Sequence, residues 1–499
     1  MQRRHWWLIL ILVVATVLRV TSIDSVPPGL YPDEAMNGNN ALEALRTGEF
    51  KVFYPENNGR EGLFINIQAL SLSIFGNTPW ALRLPSVIFG LLGVLGIYFL
   101  TREILFHHRQ REELSLLATF LSATSFWYIN FSRIAFRAIM APAALVWGIY
   151  LLLLSFRRAR LPGLLNKLLL PAIGGVVYGL GFHSYIAYRA TPVIILAVFA
   201  FYWLKARKER WLKEFSNVTV VFTIFSLLTF LPLGLYFAEN PQDFFGRTAQ
   251  ISVLSSPSPI ASLALNAIKT AGMFNFVGDW NWRHNIAGRP LLFWPVGIMF
   301  LVGVISGLLT LLRKPRGGQS DENSRVTFAL LFIWLATAAL PVVASSEGLP
   351  HALRAILMVP TVFIISALGG LSIFNYLKPR IKMEYLRLGI SGLIVILMVE
   401  AYASYFFTWG KNPHTADAFN RDYVLLGEEL NSLPQDQLKI VVVTASGFEV
   451  RGLPMPTQTV MFITDTFGIE QRQAKNIYYV TSDQFNEPVP ESAAVFYLR

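Results

Sequence analysis

Up to about residue 407 the chain alternates long apolar runs with short polar ones. The runs cover 6–20, 85–100, 114–128, 138–156, 164–182, 192–204, 218–237, 290–312, 326–343, 355–374 and 388–407. Most approach the ~20 residues an α-helix needs to cross a bilayer, and the pattern predicts about 11 transmembrane helices. Arg3 and Arg4 precede the first run, but no small-residue cleavage site precedes 21–28, so it reads as a retained anchor. Beyond 407 the pattern changes. A polar helical stretch comes first, and 439–444, 459–464, 476–481 and 493–498 have the β-branched and aromatic content of strands. The expected fold class is an α-helical polytopic membrane protein with a small C-terminal α/β domain. Its membrane module would be 1–407, with long loops at 22–84 and 238–289, and its α/β domain 408–499.

Composition agrees with lipid as the main solvent. Hydrophobic residues make up 54% of the chain and charged ones 15%, against roughly 25% charged in soluble domains. The net charge of +11 is unevenly spread, since 408–499 holds 7 basic and 11 acidic residues. The excess lies beside the apolar runs, at Arg157/Arg158/Arg160, Lys205/Arg207/Lys208/Arg210, Arg313/Lys314/Arg316 and Lys378/Arg380/Lys382. The positive-inside rule places those clusters in the cytoplasm, together with the amino terminus. An odd number of spans then puts both long loops and the tail outside a plasma (inner) membrane. The basic loops suit anionic lipid rather than nucleic acid. The chain has no cysteine, which excludes disulfides, thiolate catalysis and cysteine-ligated zinc. It also has no Gly-rich phosphate loop or Rossmann fingerprint.

Charge at a membrane surface is costly, so polar groups at the outer helix ends are candidates for chemistry. Asp33-Glu34 begins a helix-like run at 35–45. The pair reads either as helix capping or as a general base or a ligand for a hard divalent cation. Glu56-Asn57-Asn58-Gly59-Arg60-Glu61-Gly62 is either a solvated loop or a tight turn around a charged pair. Arg133 and Arg137 would share a face on a helix, and paired guanidinium forks suit a phosphate. His183, Tyr185, Tyr188 and Arg189 form an interfacial belt or a binding site. Asp279, Trp280, Trp282 and His284 combine polar groups with rings that stack on a sugar or anchor at the interface. Glu347, His351 and Arg354 close the set, with His351 and Arg354 three apart. Carboxylates, arginines, histidines and aromatics thus gather on one side. A lipid-linked phosphosugar needs that combination, with arginines on phosphate, aromatics on sugar and a carboxylate on the acceptor hydroxyl.

The segments "YPDEAMN", "YPENNGREGLFINIQALSLSIFG" with "ALRLPSVIFG", "FSRIAFRAIMAP", "YIAYRATP" and "EGLPHALRAI" resemble the GT-C glycosyltransferases. The likeness is greatest to their dolichyl-phosphate-mannose protein mannosyltransferase and aminoarabinose transferase branch, and covers roughly 1–400. It implies a polyprenyl-phosphate donor bearing one sugar, used with inversion, and an acceptor glycan, lipid or protein. Asp33 looks like the family's first-loop base, with Glu34 its partner and Glu61 a further catalytic carboxylate. Arg60 stands near where relatives hold the donor phosphate. Arg133, Arg137, Arg189 and Arg354 are further phosphate candidates. Sugar or acceptor contacts would fall to His183, Tyr185, Tyr188, Asp279, Trp280, His284, Glu347 and His351. Any divalent cation, Mg or Mn, would sit on Asp33 and Glu34. The chain lacks the β-trefoil insertion of the protein O-mannosyltransferases, which argues against a protein acceptor. Two other readings stay open: an oligosaccharide transferase or ligase with a diphosphate-linked donor, and a lipid or sugar transporter. The transporter would place charges at the midplane and broken helices in matched halves.

Overall fold

A computed structural model describes the chain except residues 1–2, 251–252, 254–256, 316–317, 347, 486–488 and 491. The chain forms two compact units, one of 1–19, 88–132 and 138–404, the other of 20–87, 133–137 and 405–499.

The larger unit is helical. Among the described residues of the whole chain, nine helices are long and apolar enough to cross a membrane. The segments Arg137–Arg158 and Ile356–Leu377 are the most buried of them, whereas Leu212–Glu239 turns most of its surface outward. An apolar exterior of this kind is what a lipid-facing helix presents. Two of the eleven expected spans fall short. The first is a shorter apolar helix, His5–Val20. The run at 114–128 is divided into Arg111–Ala123 and Phe126–Phe131, because Ser125 takes an extended backbone (φ −74°, ψ 125°). Trp127 just after the break is fully buried, and its indole donates to the Ala352 carbonyl at 3.0 Å. Between Trp294–Leu312 and Val359–Leu377, Gly303 and Gly369 face the opposing backbone so closely that a Cβ on either would collide with it. Small residues at such crossings permit tight packing in lipid.

The smaller unit combines the first loop with the tail. The helix Pro32–Thr47 starts at Tyr31 and stops where Gly48 turns left-handed (φ 75°). A short antiparallel ladder then pairs Phe53 with Glu61 and Tyr54 with Arg60. Asn57, Asn58 and Gly59 all adopt positive φ at its turn. A Cβ on Gly59 would come within 2.6 Å of the Phe53 ring, so only glycine fits there. Helix Gly62–Phe75 follows.

In the tail, strand Lys439–Val443 lies between Ile477–Thr481 and Ala494–Leu498, parallel to both. The stretch 459–464, expected as a strand, is instead part of the helix Thr457–Thr464. Its β-branched residues are consumed by packing: Thr459, Val460 and Thr464 are buried together with Met461 and Phe462, and the Phe462 ring occupies the space a side chain at Gly38 would need. Met36 from the first loop is part of the tail's own apolar core, with Val441, Val460 and Tyr423. Burial outweighs intrinsic strand propensity at this position.

Candidate functional site

The helix Pro32–Thr47 organises the smaller unit's polar centre. Its N-cap is Tyr31, so Asp33 lies inside the first turn and does not cap. Asp33 is half-buried and accepts from Asn57 Nδ2 at 2.9 Å. Glu34 is fully buried. Its carboxylate accepts from Arg83 Nε at 3.1 Å and Nη2 at 3.3 Å, from the Ala135 N–H at 2.7 Å and from the Tyr31 N–H at 3.3 Å. The last contact is half of a capping box. Both oxygens of Glu34 are thus engaged by Arg83 and backbone N–H groups, whereas Asp33 accepts from Asn57.

One and two turns further along, Asn37 and Asn40 hold Arg60. Their side-chain oxygens accept from its Nη1 at 2.7 Å and Nη2 at 2.5 Å, while its Nε donates to the Glu56 carbonyl at 3.3 Å. The guanidinium is buried. Burial, with the Arg137 charge beside it, lowers it to about 10 against the pull of Asp33 and Glu56. It is a fixed cation at neutral pH, in a place that disfavours cations. Arg137 pairs with Glu61 at 2.9 Å, both largely buried. An anion entering here would relieve the repulsion between two arginines.

Arg133 and Arg137 do not share a helical face. Phe126–Phe131 ends before them, Arg133 lies in a turn, and a 3₁₀ turn begins only at Arg137. Arg133 instead donates to the carbonyls of Thr21 at 2.7 Å and Val26 at 2.8 Å, beneath the rings of Tyr405 and Phe406. It holds chain together and is not poised as a phosphate fork.

The tail grips the same helix from its other side. Arg451 reaches Glu43 at 2.8 and 2.9 Å and Glu56 at 2.6 Å. Asn39 donates to the Gln458 carbonyl at 3.1 Å and side-chain oxygen at 2.9 Å. Glu56 also accepts from Asn40 at 2.9 Å, so one carboxylate joins turn, helix and tail.

The remaining candidates lie in the larger unit. Arg189 donates to the Phe244 carbonyl at 2.8 Å, between the rings of Phe237 and Phe244. His183 Nε2 meets the Thr229 carbonyl at 2.9 Å, and Tyr185 and Tyr188 are buried. Arg354 donates to Ser345 Oγ, and its own N–H points at His351 Nδ1 at 3.4 Å. Residues 351–354 form a turn and not the helix that the spacing suggested. Asp279, His284 and His351 come together, whereas Trp280 is 65% exposed. Glu347 lies outside the described residues.

Sequence reasoning missed Asn37, Asn40 and Arg83, and named Asn57 only as part of the loop 56–62. Asp33, Asn37 and Asn40 are spaced i, i+4, i+7, one face of a helix. Arg83 is an arginine at the start of an apolar run, which is itself a signal.

Residues 63–236 match the family model for dolichyl-phosphate-mannose-protein mannosyltransferase. No curated protein sequence matches the chain. Among solved structures it is similar to the oligosaccharyltransferase AglB from Archaeoglobus fulgidus in complex with an inhibitory peptide and a dolichol-phosphate. That likeness has a TM-score of 0.55 at 15% identity and covers 92% of this chain and 63% of that one. The chain therefore spans less than two thirds of the archaeal protein. It is also similar to ArnT from Cupriavidus metallidurans bound to undecaprenyl phosphate, with a TM-score of 0.58, 14% identity, and coverage of 92% and 85%. With these likenesses joined to its apolar helices, the chain is a multi-pass membrane protein with the fold of the GT-C membrane glycosyltransferases.

Proposed function

We propose that this protein is an inverting glycosyltransferase that moves one sugar from a polyprenyl-phosphate donor to an acceptor hydroxyl at the outer face of the plasma membrane. One observation carries the reading. Half-exposed Asp33 shares a helix face with Asn37 and Asn40, whose side-chain oxygens hold the buried Arg60 guanidinium at 2.7 and 2.5 Å, and Arg137 pairs with Glu61, the residue next to Arg60. Neighbouring Glu34 is committed to Arg83 and backbone N–H groups. In this reading Asp33 is the carboxylate for proton transfer, and Arg60 and Arg137, held by Asn37, Asn40 and Glu61, are the cations for a leaving phosphate.

In the proposed reaction the acceptor oxygen forms a bond to the anomeric carbon. The bond from that carbon to the phosphate oxygen breaks, and polyprenyl phosphate leaves with the electron pair. Asp33 Oδ takes the acceptor's proton. Arg60 and Arg137 hold the charge that grows on the departing phosphate, with Glu61 keeping Arg137 oriented. The dolichol-phosphate and undecaprenyl phosphate of the two similar structures support this donor class.

The test uses the full chain in lipid nanodiscs with radiolabelled polyprenyl-phosphate sugars, scoring retention and slow hydrolysis. Retention of a monophosphate donor by wild type and by Asp33→Asn, with hydrolysis only by wild type, is expected. Retention of a diphosphate-linked glycan alone would replace this reading with a ligase, and silence from both donors would favour a transporter.

A further inference from the structure

Asp279, His284 and His351 bring one carboxylate oxygen and two imidazole nitrogens within 4.8 Å of one another. Asp279 and His284 are buried, and the His351 side chain is only 15% exposed. Among the described residues, the only charged or chargeable side chains within ion-pair distance of Asp279 are the two histidines, His284 at 3.0 Å and His351 at 3.9 Å. A buried carboxylate facing two imidazoles is a donor set that a divalent cation can occupy.

We propose that these three residues form a binding site for a zinc-class divalent cation, made of none of the proposed sugar-transfer residues. The donor set is two imidazoles and one carboxylate, borderline ligands that suit zinc better than magnesium or calcium. Zinc bonds of about 2.0–2.1 Å at tetrahedral angles set donors roughly 3.3 Å apart. From Asp279 Oδ2, His284 Nδ1 at 3.0 Å and His351 Nδ1 at 3.9 Å lie on either side of that value, and all three donors lie within 4.8 Å of one another.

The support around the donors is also that of a metal ligand. Asp279 Oδ1 accepts from the Asn281 N–H at 2.8 Å and Oδ2 from the Ala352 N–H at 2.8 Å. Outer hydrogen bonds of this kind fix a ligating carboxylate. The His284 ring lies 4.9 Å from that of His351 at 32° and 5.7 Å from that of Phe131. A bound cation would pin the second long loop, which supplies Asp279 and His284, to the turn that supplies His351. The fourth position is left for water or a further oxygen ligand.

The chelator-stripped full chain in nanodiscs would be titrated with Zn²⁺ alone by calorimetry, and with Co²⁺ while visible absorbance is followed. One equivalent of metal per chain, a tetrahedral cobalt spectrum and a Tm raised by zinc are expected. Asp279→Asn and His284→Ala should weaken zinc by more than tenfold. His351→Gln, a near-isosteric change on a turn, should do so without unfolding the chain. Asp33→Asn should bind zinc like wild type, so failure here is separable from failure of the proposed reaction. Wild-type protein that takes up neither metal, or variants that bind as wild type does, would overturn the proposal and leave Asp279 and His284 as a hydrogen-bonded pair.

Discussion

Replacing Glu34 by Gln keeps the shape of the side chain but removes its charge. The native carboxylate accepts four hydrogen bonds, two from Arg83 and one each from the Ala135 and Tyr31 N–H groups. Glutamine offers one acceptor oxygen, and its amide turns two further donors toward groups that are themselves donors. Arg83, with no side-chain exposure, is left as a buried cation without a counter-ion. Breaking a buried pair in this way costs about 3–5 kcal/mol. At 1.4 kcal/mol per tenfold, that loosens the local closed state by roughly 10²- to 10⁴-fold. Amide hydrogen exchange at Ala135, whose N–H points at the missing charge, reads the effect directly. Exchange in Glu34→Gln should rise by that range, up to the limit of global unfolding. The double variant Glu34→Gln/Arg83→Met, with neither charge left to strand, should recover much of it. Exchange at Ala135 within about threefold of wild type in the single variant would refute the assignment of Glu34 to structure.

Asp33→Asn should leave exchange at Ala135 unchanged, since Asn57 still finds an oxygen, while transfer from a monophosphate donor falls by at least about 10²; single-turnover kinetics measure this. Arg137→Ala should raise the donor's dissociation constant by about tenfold or more while slowing bound-state chemistry less, which equilibrium donor binding and single-turnover rates separate. The grip of Arg451 should be lost on acidification. Glu43 is partly buried, which alone would raise its pKa, but the hydrogen bonds and charge of Arg451 outweigh burial and lower it. A folded-state pKa below the unfolded value gives stability that is present above the unfolded value and lost as pH falls through the folded one. Proteolytic release of the tail should therefore accelerate below about pH 4.5, and Arg451→Ala should remove that dependence.

Hydropathy exposed the membrane helices because lipid demands long apolar runs, and 85–100 and 355–374 needed nothing more. The helix after Asp33-Glu34 was legible for a similar local reason, its acidic first turn. Arg133 and Arg137 were misjudged because helical spacing is meaningful only where a helix continues, and this one ends at Phe131. The separate fates of Asp33 and Glu34 could not be read locally. They depend on Arg83 and Ala135, which lie 49 and 101 residues from Glu34. The convergence of Asp279 with His351 spans 72 positions of chain and is equally invisible to spacing. The helix Thr457–Thr464 was mistaken for a strand because its β-branched residues serve a packing surface supplied by the first loop.

That packing makes the order of synthesis a checkpoint. Asn39 finds Gln458 across 419 positions, Glu56 finds Arg451 across 395, and Leu30 receives the Thr459 hydroxyl across 429. The helix carrying Asp33 leaves the ribosome early, yet the surface that seats it is made only after the membrane helices. A chain arrested among its spans would display Asp33 on an unsupported helix and Arg60 in the ladder beside it, with Met36 and Gly38 bare of their partners. Full-length translation is thereby built into the geometry of the site, and truncated products would occupy the membrane without acquiring the site's geometry.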